Sequence, residues 1–237
     1  MTGGSVNLAT EMRRVAVDEG ATDDLGAAAR RALVIHAGGS EPVEWVWGRA
    51  VRLRRLVQRL VELDEVRLLR YDRRAVEAAA LFVDSAWAEE LRAGRVRRDA
   101  VMLQPMDMRQ RELSADVLIR ETADVLPDET RRIAGRAIRE AGARGTTLTE
   151  AIVLGEAVEL ESIGPEWALL ESRRAWVRGQ DSATLVGQWR TQQRYGYWEG
   201  RIRDRLRYEW SRRAARQRLA GLAAFMETFA AQVAVET

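Results

Sequence analysis

The chain has 237 residues, with 38 Lys plus Arg against 36 Asp plus Glu and a formal net charge of +2. Its hydrophobic content of 46% and charged content of 31% predict a folded chain with a sizeable core. It has no cysteine, which excludes disulfides, thiolate metal sites, iron–sulfur clusters and cysteine nucleophiles. Every one of its cations is Arg, which removes Schiff-base chemistry and a P-loop lysine. The Arg-for-Lys bias, with much Ala, Gly and Val, reads as a G+C-rich coding sequence. His36 is the single histidine, so any histidine-based metal or nucleophile system depends on it. No apolar run is long enough to span a membrane, and Met1–Leu8 has no basic segment leading into an apolar one. The expected location is a reducing cytoplasm.

The dominant period is helical, and no hairpin turn or alternating strand stands out. A short helix is predicted from Leu8 to Asp18 and another from Asp23 to Ala37, stopped by Gly38-Gly39. His36 would then lie at a helix C-terminus, where a cation suits the dipole. From Val43 to Leu63 apolar residues recur at helical spacing, with Arg on the opposite face. Asp72 is a candidate N-cap for a helix whose centre, Ala78 to Val83, is apolar all round and therefore predicted to be buried. Gly94 to Glu112 reads as a connection, and Ser114 as the cap of a helix to Asp124. Pro127, Asp128 and Glu129 suit the start of a helix to about Ala141. Thr147 and Glu150 have capping-box spacing ahead of a helix ending near Gly164-Pro165. The last third is helical again, through Ala183–Arg190 and Ser211–Val235.

Charge is uneven. Residues 173 to 218 hold 13 Arg against Asp181, Glu199, Asp204 and Glu209, a local +9 that leaves −7 for the remainder. Aromatic residues interleave with these Arg. Arg190, Arg194, Trp198, Arg201, Arg205 and Trp210 are candidate interaction residues, for self-association or another protein in the first place. A nucleic acid is the second reading, since Arg with stacking rings also suits a single strand.

Three local patterns carry a resemblance. They are Trp47-Gly48-Arg49-Ala50-Val51, the run Ala79-Ala80-Leu81-Phe82-Val83-Asp84-Ser85-Ala86-Trp87, and Glu156-Ala157-Val158-Glu159-Leu160-Glu161-Ser162-Ile163-Gly164. In order and separation they resemble the HD-domain superfamily of metal-dependent phosphohydrolases over roughly Val43 to Ile163. Ala214 to Glu236, with Phe225-Met226 and Phe229, is similar to the closing helix of small bacterial members.

The resemblance implies an all-α, HD-domain-like helical bundle. An N-terminal helical extension would occupy 1–40, the HD-like domain 41–175, and a C-terminal Arg- and Trp-rich subdomain 176–237. By position it places the four metal ligands at Trp47, Val83, Asp84 and Val158. An indole and two aliphatic side chains cannot coordinate a cation, and one carboxylate does not hold it. The direct expectation is a degenerate, non-catalytic bacterial relative with a binding, regulatory or structural role, without cofactor, acting as a homo-oligomer. Asp84 would pair with an Arg such as Arg49 or Arg52. Trp47, Phe82 and Trp87 could line a pocket for a small apolar or planar ligand. The enzymatic alternative is a phosphohydrolase on nucleotides or other phosphomonoesters. It would hold a divalent cation such as Mg or Mn on a rebuilt carboxylate site of Asp84, Glu156 and Glu159.

Overall fold

A computed structural model describes residues 23–36 and 42–235. The helix expected from Leu8 to Asp18, and Gly38-Gly39, lie outside the described residues. Among those described the chain is all-α, with no strand and only an isolated antiparallel bridge between Ile35 and Val43. No described helix is long and apolar enough to cross a membrane. The chain divides into two compact units. Of the described residues, the first comprises 23–36, 42–98 and 105–154, and the second 99–104 and 155–235.

The first unit contains α1 (Asp24–Leu33), α2 (Trp45–Leu60), the single turn α3 (Asp64–Arg67), α4 (Arg73–Phe82), α5 (Ser85–Arg92), α6 (Met108–Glu121) and α7 (Asp128–Glu140). It also holds the start of α8 (Thr149–Glu161). α4 is its centre: α2, α6, α7 and α1 all pack on it. Ala75, Val76 and every residue from Ala78 to Phe82 are buried, as a helix apolar on all sides requires. The Asp72 carboxylate accepts from Ala75 N at 3.1 Å, the N-cap its sequence position predicts.

Three local expectations are corrected. α1 stops at Leu33, because Val34 is extended and Ile35 exchanges 2.9 and 3.3 Å backbone bonds with Val43. His36 is therefore outside the helix and exposed. The carbonyls at the end of α1 are met by the Arg92 guanidinium, which donates to Ala32 O at 2.5 Å. α6 begins at Met108, six residues before Ser114. Asp107 and Gln110 form a reciprocal capping box at 2.7 and 3.2 Å. Ser114 sits inside α6 and serves α5 instead, its Oγ accepting from Ala86 N at 3.0 Å. Finally, Glu150 does not close a box on Thr147. Its carboxylate accepts from Asp72 N at 2.6 Å, while Thr130 donates its hydroxyl to Asp72 at 2.7 Å.

The second unit contains the rest of α8, then α9 (Pro165–Val177), α10 (Ser182–Arg194), α11 (Tyr197–Arg205) and α12 (Glu209–Val235). α10 is central, touching α9, α11 and α12. Its core is aromatic: the rings of Trp167, Trp189 and Trp198 meet pairwise at 5.5, 5.6 and 6.0 Å. Such tilted and edge-on pairs add about 0.5–1.5 kcal/mol each beyond their buried area. Gly164, before α9, has φ of 119°, a conformation closed to residues with a Cβ.

The all-Arg composition has a structural use. Guanidinium forks reach backbone carbonyls across the packing: Arg131 to Ile119 O at 3.1 Å and Arg111 to Ala141 O in the first unit. In the second, Arg218 donates to Leu160 O at 2.9 Å and Arg173 to Val101 O at 2.9 Å. Several of these carbonyls lie at helix ends, where no intrahelical donor is available. Burial pushes the Arg173 pKa below its ordinary value, and the charge of Asp99 opposes that shift.

Candidate functional site

The residues singled out by the resemblance lie in both units. Trp47 is on α2, Val83 and Asp84 form the junction between α4 and α5, and Val158 is on α8 within the second unit. Trp47 is 0% exposed. Its indole nitrogen is a donor only, and it has no hydrogen-bond acceptor. Val83 is buried and offers no ligand atom. Asp84 is 4% exposed and is held by Arg49, whose guanidinium donates to Oδ2 at 2.5 Å. The charge this carboxylate would offer a cation is thus already countered by a guanidinium from the adjacent helix. Phe82 on α4 and Trp87 on α5 are buried, as is Trp47 on α2, the helix that packs against both. All three rings are part of the core.

The resemblance implies a metal, and these residues do not fit one. A divalent cation wants several nitrogen or oxygen donors converging on a point. Trp47 and Val83 have none to give, and Asp84 is bound to Arg49. Among the described residues no group of three or more His, Asp or Glu side chains is arranged to hold a metal ion.

The other two carboxylates proposed for a rebuilt centre are occupied as well. Glu156 is 3% exposed and accepts from two backbone amides, Arg207 N at 2.9 and 3.1 Å and Tyr208 N at 3.0 Å. These amides lie just ahead of α12, so Glu156 serves as a remote cap where the helix dipole favours a negative charge. Glu159 receives Arg201, Nε at 2.7 Å and Nη2 at 2.6 Å, and Arg201 also donates to Ser162 Oγ at 2.8 Å. Glu156 and Glu159 are neighbours in sequence on one helix, but their oxygens answer to different partners.

No protein-family model, curated protein or solved structure matches this chain. Its chemistry therefore rests on its own residues. Of the proposed interaction residues, Trp198 is in the three-tryptophan core and Arg201 is locked to Glu159, its guanidinium lying 5.7 and 5.8 Å from the Tyr197 and Trp198 ring centres. Trp210 is half-buried. Arg190, Arg194 and Arg205 are exposed.

Sequence reasoning missed several polar residues. Glu77 accepts from Arg54 at 3.0 Å, Arg73 at 3.2 Å and Gln58 at 3.3 Å. Arg54 in turn reaches Asp23 at 2.5 Å, and that hydrogen bond holds the Asp23 carboxyl below its ordinary pKa against a partial desolvation cost. The spacing of Glu77 from Arg73 on one helix face was a usable signal. Its pairing with Arg54 spans two helices and had none.

Proposed function

We propose that this chain is an HD-like helical protein without the metal chemistry of the enzymes it resembles, and that it works by binding. The observation that carries this reading is the Arg49–Asp84 contact at 2.5 Å. A carboxylate retained for a cation would be kept available for it, whereas this one is paired and buried. The full burial of Trp47 supports the same reading: apolar volume stands where the resemblance implies a metal ligand. Removing a single ligand would strand its former partners in a low-dielectric interior, which is costly. Filling the site with Trp and Val and neutralising the remaining Asp avoids that cost.

The test is metal content with activity. The purified protein is loaded with manganese or magnesium, desalted and analysed for bound ions, then assayed on nucleotides and simple phosphomonoesters. The expected result is substoichiometric metal and no turnover. Stoichiometric metal with phosphatase activity abolished by Asp84→Ala would overturn the reading in favour of the phosphohydrolase alternative.

A further inference from the structure

We propose that the outer face of α10, with the turn that follows it, binds single-stranded nucleic acid. This rests on the reading of the chain as a binding protein and names the partner. α10 buries Leu185, Val186 and Trp189 and turns Gly187, Gln188, Arg190, Thr191, Gln193 and Arg194 outward. Between Asp181 and Glu199 the sequence holds no carboxylate at all. The surface it presents is guanidinium, amide, hydroxyl and aromatic ring.

In a protein whose only cation is Arg, exposed Arg alone is a weak signal, because most solvated charge must take that form. The surroundings set these positions apart: an acid-free stretch of sequence and an exposed ring that follows it. Arg49, Arg54, Arg73, Arg120, Arg139 and Arg201 all sit on carboxylates. Among the described residues Arg190 and Arg194 pair with no carboxylate, a property they share with other exposed Arg such as Arg70, Arg178 and Arg205. Arg190 and Arg194 are four residues apart on one helix, so their side chains are neighbours on the same face. Two adjacent unpaired guanidiniums match two successive phosphates of a strand.

The ring comes from the turn. Tyr195 closes α10, its N–H bonded to Thr191 O at 3.2 Å, and Gly196 then takes a left-handed φ of 64°. This turn leaves Tyr195 77% exposed, next to Arg194 in the sequence. Tyr197, on the far side of Gly196, stacks edge-on against Trp198 at 5.2 Å and is 44% exposed. A surface ring free on its face, next to unpaired Arg, fits an unstacked base; the bases of a duplex are already stacked and offer it nothing. The chemistry therefore favours a single strand over a duplex, and over an acidic protein that would use the Arg alone.

The experiment is fluorescence anisotropy of the full chain with a labelled oligothymidylate of about sixteen nucleotides across a salt series. A duplex of the same length and polyglutamate serve as competitors. Binding to the single strand is expected to weaken linearly in log salt. Arg190→Gln with Arg194→Gln is expected to flatten that slope by about 1.4, from about 0.7 per phosphate contact. Tyr195→Ala is expected to weaken binding by about fivefold or more with the slope unchanged, and Tyr195→Trp to restore it. All these positions are exposed, so unchanged helical circular dichroism verifies the fold of each variant. No binding at low salt would overturn the proposal. So would polyglutamate competing as well as the single strand with Tyr195→Ala silent, which would assign the face to an acidic protein. None of the varied residues is Trp47, Val83 or Asp84, so the metal and phosphatase assays fail or succeed independently of this one.

Discussion

Glu156 discriminates between a catalytic and an architectural use of the acidic residues on α8. Its carboxylate accepts three short contacts from the amides of Arg207 and Tyr208. Hydrogen bonds to a charged group contribute about 1.5–3 kcal/mol each, and a buried donor left without an acceptor costs about 1–3 kcal/mol. The Arg207 side is exposed, so water can rescue that amide in Glu156→Ala; the Tyr208 amide is buried and stays unsatisfied. The expected loss is about 2–4 kcal/mol. Glu156→Gln keeps the volume and one acceptor but turns an NH2 toward the second amide, for an expected loss of about 1–2 kcal/mol. Urea unfolding followed by tryptophan fluorescence measures both, since Trp167, Trp189 and Trp198 belong to the same unit. A loss under about 0.5 kcal/mol for Glu156→Ala, the range of an ordinary surface change, would refute the capping argument.

Arg49→Met is expected to destabilise the protein by about 3 kcal/mol, because it strips a guanidinium from the buried Asp84; adding Asp84→Leu should recover most of that loss in the same urea assay. Asp23 titrates below its ordinary value because Arg54 donates to it. Its contribution is therefore present above the unfolded value near about 4 and lost as pH falls through the lower folded value. Asp23→Asn is expected to shrink the drop in thermal midpoint between neutral and acid pH, and an unchanged drop would refute the assignment. Gly164→Ala is expected to lower the thermal midpoint, at a cost of about 1–3 kcal/mol. The new Cβ would meet Arg218 Cβ at 3.1 Å in a left-handed backbone, and an unaltered midpoint would show that the turn relaxes freely.

Helix type was legible because apolar period and caps agree: Asp72 before an all-apolar centre and Pro127 with two acids behind it both point to the starts observed. The start of α6 was hidden. Pro105 and three Met suggested a connection, and the Asp107–Gln110 box lacks the Ser or Thr that usually marks one. Ser114 shows the opposite failure: its type is right for a cap, but the helix it caps is separated from it by the chain between α5 and α6. Arg49 is one of the two Arg expected to pair with Asp84, since a carboxylate in a buried helical stretch needs a cation, and spacing alone does not choose between Arg49 and Arg52. The partners of Glu156 and Glu159 were not foreseen, since backbone amides and a guanidinium some fifty and forty residues downstream leave no trace in local spacing.

The hydrogen bonds from Arg173 to the carbonyls of Asp99 and Val101, and from Arg174 to Leu103, tie the short segment 99–104 into the second unit. During synthesis that segment leaves the ribosome well before its partners, with 105–154 still to be made. At about 5–20 residues per second it waits for seconds. For that interval the carbonyls of Asp99, Val101 and Leu103 lack their guanidinium donors, which arrive only with α9. Excising 155–237 as a fragment would make the delay permanent, leaving two guanidiniums without the acceptors they were folded around. Supplying the missing strip as a peptide should then restore the fragment, in the manner of a split protein.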